Sequence, residues 1–191
     1  MKKGRLEAFS DGVIAIIITI MVLDLHVPHS ANITDLLPVV PVLGTYILSF
    51  IYIGIYWNNH HHMLYAAEKI NGAVLWGNLL LLFWLSLIPF VTAWMGENHF
   101  ARWPVILYGA VLFMNGISYT ILCNQLIRVA GPGSPLAIAL GRDWKGKLSL
   151  VIYAVAILLA FVNSWLAFGL YIAVALMWFI PDRRIEKTVS T

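Results

Sequence analysis

Apolar residues in this chain come in long runs, without the strict alternation of a strand or the narrow stripe of a soluble helix. Six runs approach the ~20 mostly apolar residues that a membrane-crossing helix needs. They are 6–27, 38–58, 71–95, 103–127, 148–163 and 165–180. Only Asn163-Ser164 divides the last two. One helix over both would run about 50 Å, against a hydrocarbon core of about 30 Å, so the pattern predicts a tight hairpin of two short helices. The longest polar connection, 128–147, opens with Gly131-Pro132-Gly133-Ser134-Pro135 and is expected to start as a loop. The expected fold class is all-α: a polytopic membrane protein with six transmembrane helices, one domain over 1–191.

Composition strengthens this reading. Hydrophobic residues make up 61% of the 191 and charged residues 11%, against about 45–50% and about 25% in ordinary globular proteins. Mean hydropathy is +0.84. So few charges cannot cover a soluble domain of this size. The net charge of +3 then reports basic cytoplasmic loops, and no nucleic-acid partner is expected. With both termini inside, the inner segments hold Lys2, Lys3, Arg5, Lys69, Arg128, Arg142, Lys145, Lys147, Arg183, Arg184 and Lys187, and only Arg102 falls outside. That asymmetry predicts an N-in, C-in topology. The single cysteine, Cys123, lies in an apolar run and is expected to pack. The first apolar run is long enough to span and lacks a small-residue cleavage site, so it is expected to stay in the mature protein.

Ionisable groups inside spans are costly and mark either a bundle interior or a water-filled path. The first span opens Arg5-Leu6-Glu7-Ala8-Phe9-Ser10-Asp11-Gly12. Arg5 and Asp11 are six apart and do not meet across one helical face. Ser10-Asp11 therefore either reaches neighbouring helices or caps a helix that starts late. Further on, Gly12, Ile16, Thr19 and Leu23 fall near one stripe, with Ile20 adjoining. A stripe of this kind serves packing or lines a pore. Asp24, at the far end, is either an interfacial residue bonded to nearby backbone or, repeated about an axis, part of an acidic ring that concentrates cations.

The second span ends Tyr56-Trp57-Asn58-Asn59-His60-His61-His62. Three histidines raise the question of zinc, but helical ligand pairs need a spacing of three or four, and adjacent residues point about 100° apart. Only His62 and Glu68 would contribute, weakly, so no metal is expected. A partnership with Ser10-Asp11 suits the histidines better, with Asn78 of the third span a further candidate. GxSxG, HExxH, CxxC and P-loop motifs are absent from the sequence, which argues against an enzyme. No span carries Arg or Lys at every third position, as a voltage sensor would, and the TVGYG potassium filter is missing.

Arg5-x-x-x-Phe9-Ser10-Asp11 at the start of the first span resembles the signature of the transmembrane protein 175 family of potassium channels. Tyr56-Trp57-x-x-His60-His61, Leu75-Trp76-x-Asn78-Leu79 and Pro89-Phe90-x-Thr92 are similar to that family's second and third helices. The resemblance is strongest over 5–27 and 56–92. It implies a homotetramer of six-helix chains in which the first helix lines a central pore permeable to potassium. Apolar side chains form its constriction, mapping by distance from the signature onto Ile16, Ile20 and Leu23, with Thr19 the polar pore-lining residue. Arg5, Phe9, Ser10 and Asp11, with His61 and Asn78 as partners, are then expected to hold the pore helix. Asp24 would draw cations to the outer mouth. The resemblance also implies a plasma-membrane location, K+ as permeant ion, no cofactor, and further copies of the chain, membrane lipids and potassium ions as partners. Proton-coupled transport is the alternative, with Asp11 or Asp24 as proton carrier. It would be favoured by a broken helix or an internal repeat, neither of which the sequence displays, and proton permeation through a channel is another. A non-transporting scaffold, its polar residues only joining helices, is the third reading.

Overall fold

A computed structural model describes residues 3–28, 30–67, 69–131, 133–140 and 143–179. Of the residues singled out above, Lys2, Glu68, Pro132, Arg142, Ile180, Arg183, Arg184 and Lys187 lie outside these. Eight α-helices follow one another: α1 (Lys3–Ile20), α2 (Val40–Tyr65), α3 (Gly72–Ser86), α4 (Ile88–Glu97), α5 (Arg102–Ala130), α6 (Pro135–Leu140), α7 (Trp144–Leu159) and α8 (Ser164–Phe179). A 3-10 turn, Met21–Asp24, prolongs α1, and another, Ile33–Val39, leads into α2. With these extensions four helices among the described residues are long and apolar enough to cross a membrane: Lys3–Asp24, Ile33–Tyr65, Gly72–Glu97 and Arg102–Ala130. The chain is thus a multi-pass membrane protein.

Side-chain caps start three of the helices. Asn71 accepts from the Val74 N–H at 3.0 Å to start α3, and Asp143 accepts from the Gly146 N–H at 2.9 Å to start α7. Asn163, which the sequence marks as a break, accepts from the Trp165 N–H at 2.9 Å where α8 begins. The α6 helix occupies part of the connection expected to be loop.

The third apolar run is not one helix. Pro89 has no N–H to offer the Leu85 carbonyl, and the chain breaks at Leu87 between α3 and α4. The break is one residue long. Beside it, the Trp84 carbonyl accepts from Leu87 N at 3.3 Å and from Asn115 Nδ2 of α5 at 3.3 Å. A kink healed by a neighbouring side chain differs from the discontinuous helices that hold transporter substrates, whose ends stay open toward a ligand.

Helices α2 to α5, with α7 and α8, form the main body, and α1 packs chiefly against α2 and α3. Small residues permit the closest approaches. A Cβ on Gly96 of α4 would sit 2.7 Å from Val42 Cα of α2, so alanine there would push two backbones apart. Polar groups tie the interior together. Ser49 Oγ lies 2.7 Å from Thr92 Oγ1 and 3.0 Å from the Tyr108 hydroxyl, while Tyr52 donates to the Tyr171 carbonyl at 2.5 Å. In the α4–α5 turn His99 and Phe100 adopt left-handed backbone (φ 48° and 59°). Phe100 is buried there, its ring centroid 4.5 Å from that of Trp165 and 4.6 Å from that of Phe168, contacts that offset the strain.

Candidate functional site

The first helix has two unlike faces. Leu6, Ser10, Ile14, Ile17 and Met21 are buried against α2 and α3. On the other side Arg5, Phe9, Gly12, Ile16, Thr19, Ile20 and Leu23 are exposed in the single chain, Ile16 at 61% and Leu23 at 77%. Spacings of three and four keep this set on one stripe. All four residues singled out as pore-lining belong to it.

The buried face is held by a chain of hydrogen bonds across three helices. Asn78 Nδ2 of α3 donates to Ser10 Oγ at 2.9 Å, and Ser10 in turn donates to its own helix at the Leu6 carbonyl, 2.9 Å. Asn78 Oδ1 lies 2.7 Å from His60 Nε2 of α2. That carbonyl is an acceptor, so Nε2 must carry the proton. Ser10, Asn78 and His60 are all essentially inaccessible. Each satisfies the next, which is what burying polar groups in a low-dielectric interior requires.

His60 therefore takes the place that the sequence assigned to His61. His61 is exposed, stacked between Trp57 (centroids 6.1 Å) and Tyr65 (6.5 Å) on the next face round α2. A signal for the right histidine was present: Ser49, Tyr52, Ile53 and Tyr56 continue in steps of three and four onto His60, Met63 and Leu64, all buried. His61 falls on the separate series Trp57, His61, Tyr65. Trp57 was also missed as a partner, and its Nε1 donates to Asp11 Oδ1 at 3.0 Å. Because α1 begins at Lys3, Ser10 and Asp11 sit in its middle, which removes the capping reading. Arg5 and Phe9, expected in the same network, lie on the exposed stripe, and no hydrogen bond or ion pair joins Arg5 to any described residue.

Thr19 bonds back to its own helix, its Oγ1 2.8 Å from the Ala15 carbonyl and 3.0 Å from that of Ile16. With the hydroxyl hydrogen committed, the lone pairs of Oγ1 remain for a cation. Asp24 closes the 3-10 turn, its carbonyl 3.1 Å from His26 Nδ1 and its carboxylate within electrostatic reach of Glu97 at the end of α4. Glu97 is a second carboxylate at this end that the sequence did not connect with Asp24. Among the described residues no three His, Cys, Asp or Glu side chains converge to hold a metal ion.

A family model described as endosomal/lysosomal potassium channel TMEM175 matches residues 5–89, which hold both partners of each bond described above. A protein named potassium channel from Chryseobacterium sp. (strain P1-3) is 53% identical over 190 residues, covering 100% of this chain and 99% of that relative. Endosomal/lysosomal proton channel TMEM175 of Mus musculus is 29% identical over 148 residues, covering 65% of this chain and 29% of that protein. Among solved structures, a lysosomal potassium-selective channel TMEM175 homolog from Chamaesiphon minutus aligns with a TM-score of 0.82 at 28% identity, over 93% of this chain and 96% of that one.

Proposed function

Since the chain belongs to the TMEM175 family, we propose that it is a potassium channel in which four copies of α1 surround the ion path. The observation that supports this is the exposed stripe of α1. It is apolar except for Arg5 and Thr19, it stands uncovered among the described residues, and the opposite face is bolted down by buried polar bonds. Fourfold assembly around that stripe brings four Ile16 side chains to one axis. Touching isoleucines close the path by sterics and by excluding water. A small outward tilt of α1 would widen the ring and admit partly hydrated K+. Isoleucine carbons cannot replace a hydration shell, so preference for K+ over Na+ is modest beside that of a carbonyl filter.

Ile20 and Leu23 form further apolar rings, and Thr19 presents oxygen lone pairs between the levels of Ile16 and Ile20. Asp24, reinforced by Glu97, raises the cation concentration at the outer mouth, an effect that weakens as salt shortens the Debye length. Ser10, Asp11, Asn78, His60 and Trp57 position the pore helix without touching the ion, and Arg5 and Phe9 mark the inner end of the stripe. Both termini lie on the cytoplasmic side of the plasma membrane, with lipids around the assembly.

Purified protein in liposomes tests this with K+, Na+ and proton gradients applied in turn. Passive K+ flux exceeding Na+ flux is expected. Ile16→Asn should raise it on the order of tenfold, as removal of about 1.4 kcal/mol from a barrier would. Unchanged flux in that variant moves the constriction elsewhere, and silence toward all three ions ends the channel reading. A proton-permeable channel is the second reading, favoured by the proton-channel names of the mammalian relatives. Proton flux that persists without K+ would establish it.

A further inference from the structure

Away from α1, on the other flank of α2, a half-open pocket lies between α2, α5, α7 and α8. Four tyrosines, Tyr52, Tyr56, Tyr119 and Tyr153, form its buried floor. Their rings pair across helices, Tyr52 with Tyr153 at 6.4 Å and Tyr56 with Tyr119 at 6.2 Å between centroids. Half-exposed Asn59, Thr120 and Trp178 stand at its rim. These rim residues sit near the inner ends of α2 and α8 and midway along α5, so the mouth lies in the cytoplasmic half in the orientation proposed above.

Two features bear on what it would hold. No charged side chain is among the described residues that line it, so a bound ion would lose hydration with no countercharge in return. Tyr56 is only 9% exposed, yet its hydroxyl has no hydrogen-bond partner among the described residues. By contrast Tyr52 donates to the Tyr171 carbonyl, Thr120 to the Gly116 carbonyl, and Ser149 accepts from Trp178. Tyr56 lines the pocket, so this O–H is a donor available to an acceptor that enters it. Aromatic walls with one unmet donor fit an uncharged ligand with an apolar, ring-containing body and a single acceptor oxygen.

We propose that this tyrosine-floored pocket binds a small uncharged amphiphile from the membrane, whose acceptor oxygen takes the Tyr56 hydroxyl hydrogen. The site does not involve the ion path, and it stands or falls separately from the channel reading.

Benzophenone is a suitable probe: neutral, two-ringed, with one carbonyl acceptor, and able to label nearby C–H bonds under ultraviolet light. Full-length protein in lipid nanodiscs is labelled over a range of benzophenone concentrations, and the modified residues are mapped by mass spectrometry. Labelling of pocket residues should saturate. Labelling at lipid-facing Phe83, which is 56% exposed, should rise linearly and serves as the internal reference. Diphenylmethanol, which keeps an acceptor oxygen, should compete at the pocket better than diphenylmethane, which has none. Tyr56→Phe should lower apparent affinity about fivefold, as loss of one hydrogen bond does. Thr120→Trp, which fills the mouth, should abolish pocket labelling while leaving Phe83 labelling intact. Pocket labelling that rises linearly like that of Phe83 would overturn the proposal, leaving only water there, as would saturable labelling indifferent both to Tyr56→Phe and to the competitor's oxygen.

Discussion

On one side of α1, Ser10 is fully buried and bonded into the Asn78–His60 chain, and on the other, Ile16 and Leu23 stand exposed. A helix on a soluble protein would turn Ile16 and Leu23 inward and leave Ser10 in water. In lipid the apolar side chain gains nothing by turning inward, because the surrounding hydrocarbon is as apolar as any neighbouring helix. What must be sheltered is the polar group. Seen in this way, the buried face of α1, with Ser10 among Leu6, Ile14, Ile17 and Met21, is its anchor. The apolar face is left free for whatever meets it, which in the proposed tetramer is the ion path.

The comparison breaks first at Asn78. Asn78→Leu removes the buried link between α1 and α2, leaving the His60 Nε2–H without its acceptor and Ser10 Oγ without its donor. The expected loss is about 3 kcal/mol, since each orphaned buried group costs about 1–3 kcal/mol, and thermal unfolding in detergent should show it as a lower melting temperature. Next comes a paired test on neighbouring residues. His60→Ala should cost about 2 kcal/mol by emptying a packed site and freeing the Asn78 oxygen, whereas exposed His61→Ala should stay within about 0.5 kcal/mol. Equal losses in the two would refute the assignment of His60 to the buried face. Trp57→Phe deletes only the half-exposed bond to Asp11, expected to contribute about 0.6 kcal/mol, the average for interhelical bonds in membranes. The smallest effect on stability belongs to the exposed stripe. Leu23→Ala should leave the melting temperature nearly unchanged while altering K+ flux in liposomes, and a large stability loss there would mean that the stripe is a packing face.

Legibility in the sequence followed the physics of each feature. Helical runs and their membrane character were plain, because crossing hydrocarbon needs length and apolarity and little else. Asn163 announced a helix break through its capping chemistry. Ser10, Asp11 and Asn78 stood out because polar residues in apolar runs are rare. The kink at Leu87 was missed although Pro89 stood in view, because a proline in a membrane helix tilts, breaks or is tolerated according to what its neighbours offer the freed carbonyl. Here the neighbour is Asn115 of α5, which bonds the Trp84 carbonyl beside the break.

By itself the sequence determined an all-helical membrane chain, the two-sided pattern of α1 and the residues from which an anchor had to be built, because each of these depends on hydropathy and helical period alone. Only the tertiary structure decided that His60 and not His61 meets Asn78, that Trp57 meets Asp11, and that four tyrosines share one pocket. Those pairings depend on how each helix is rotated against its neighbours. A rotation of about 100° separates adjacent residues on a helix, and it is fixed by packing contacts made far away in the sequence.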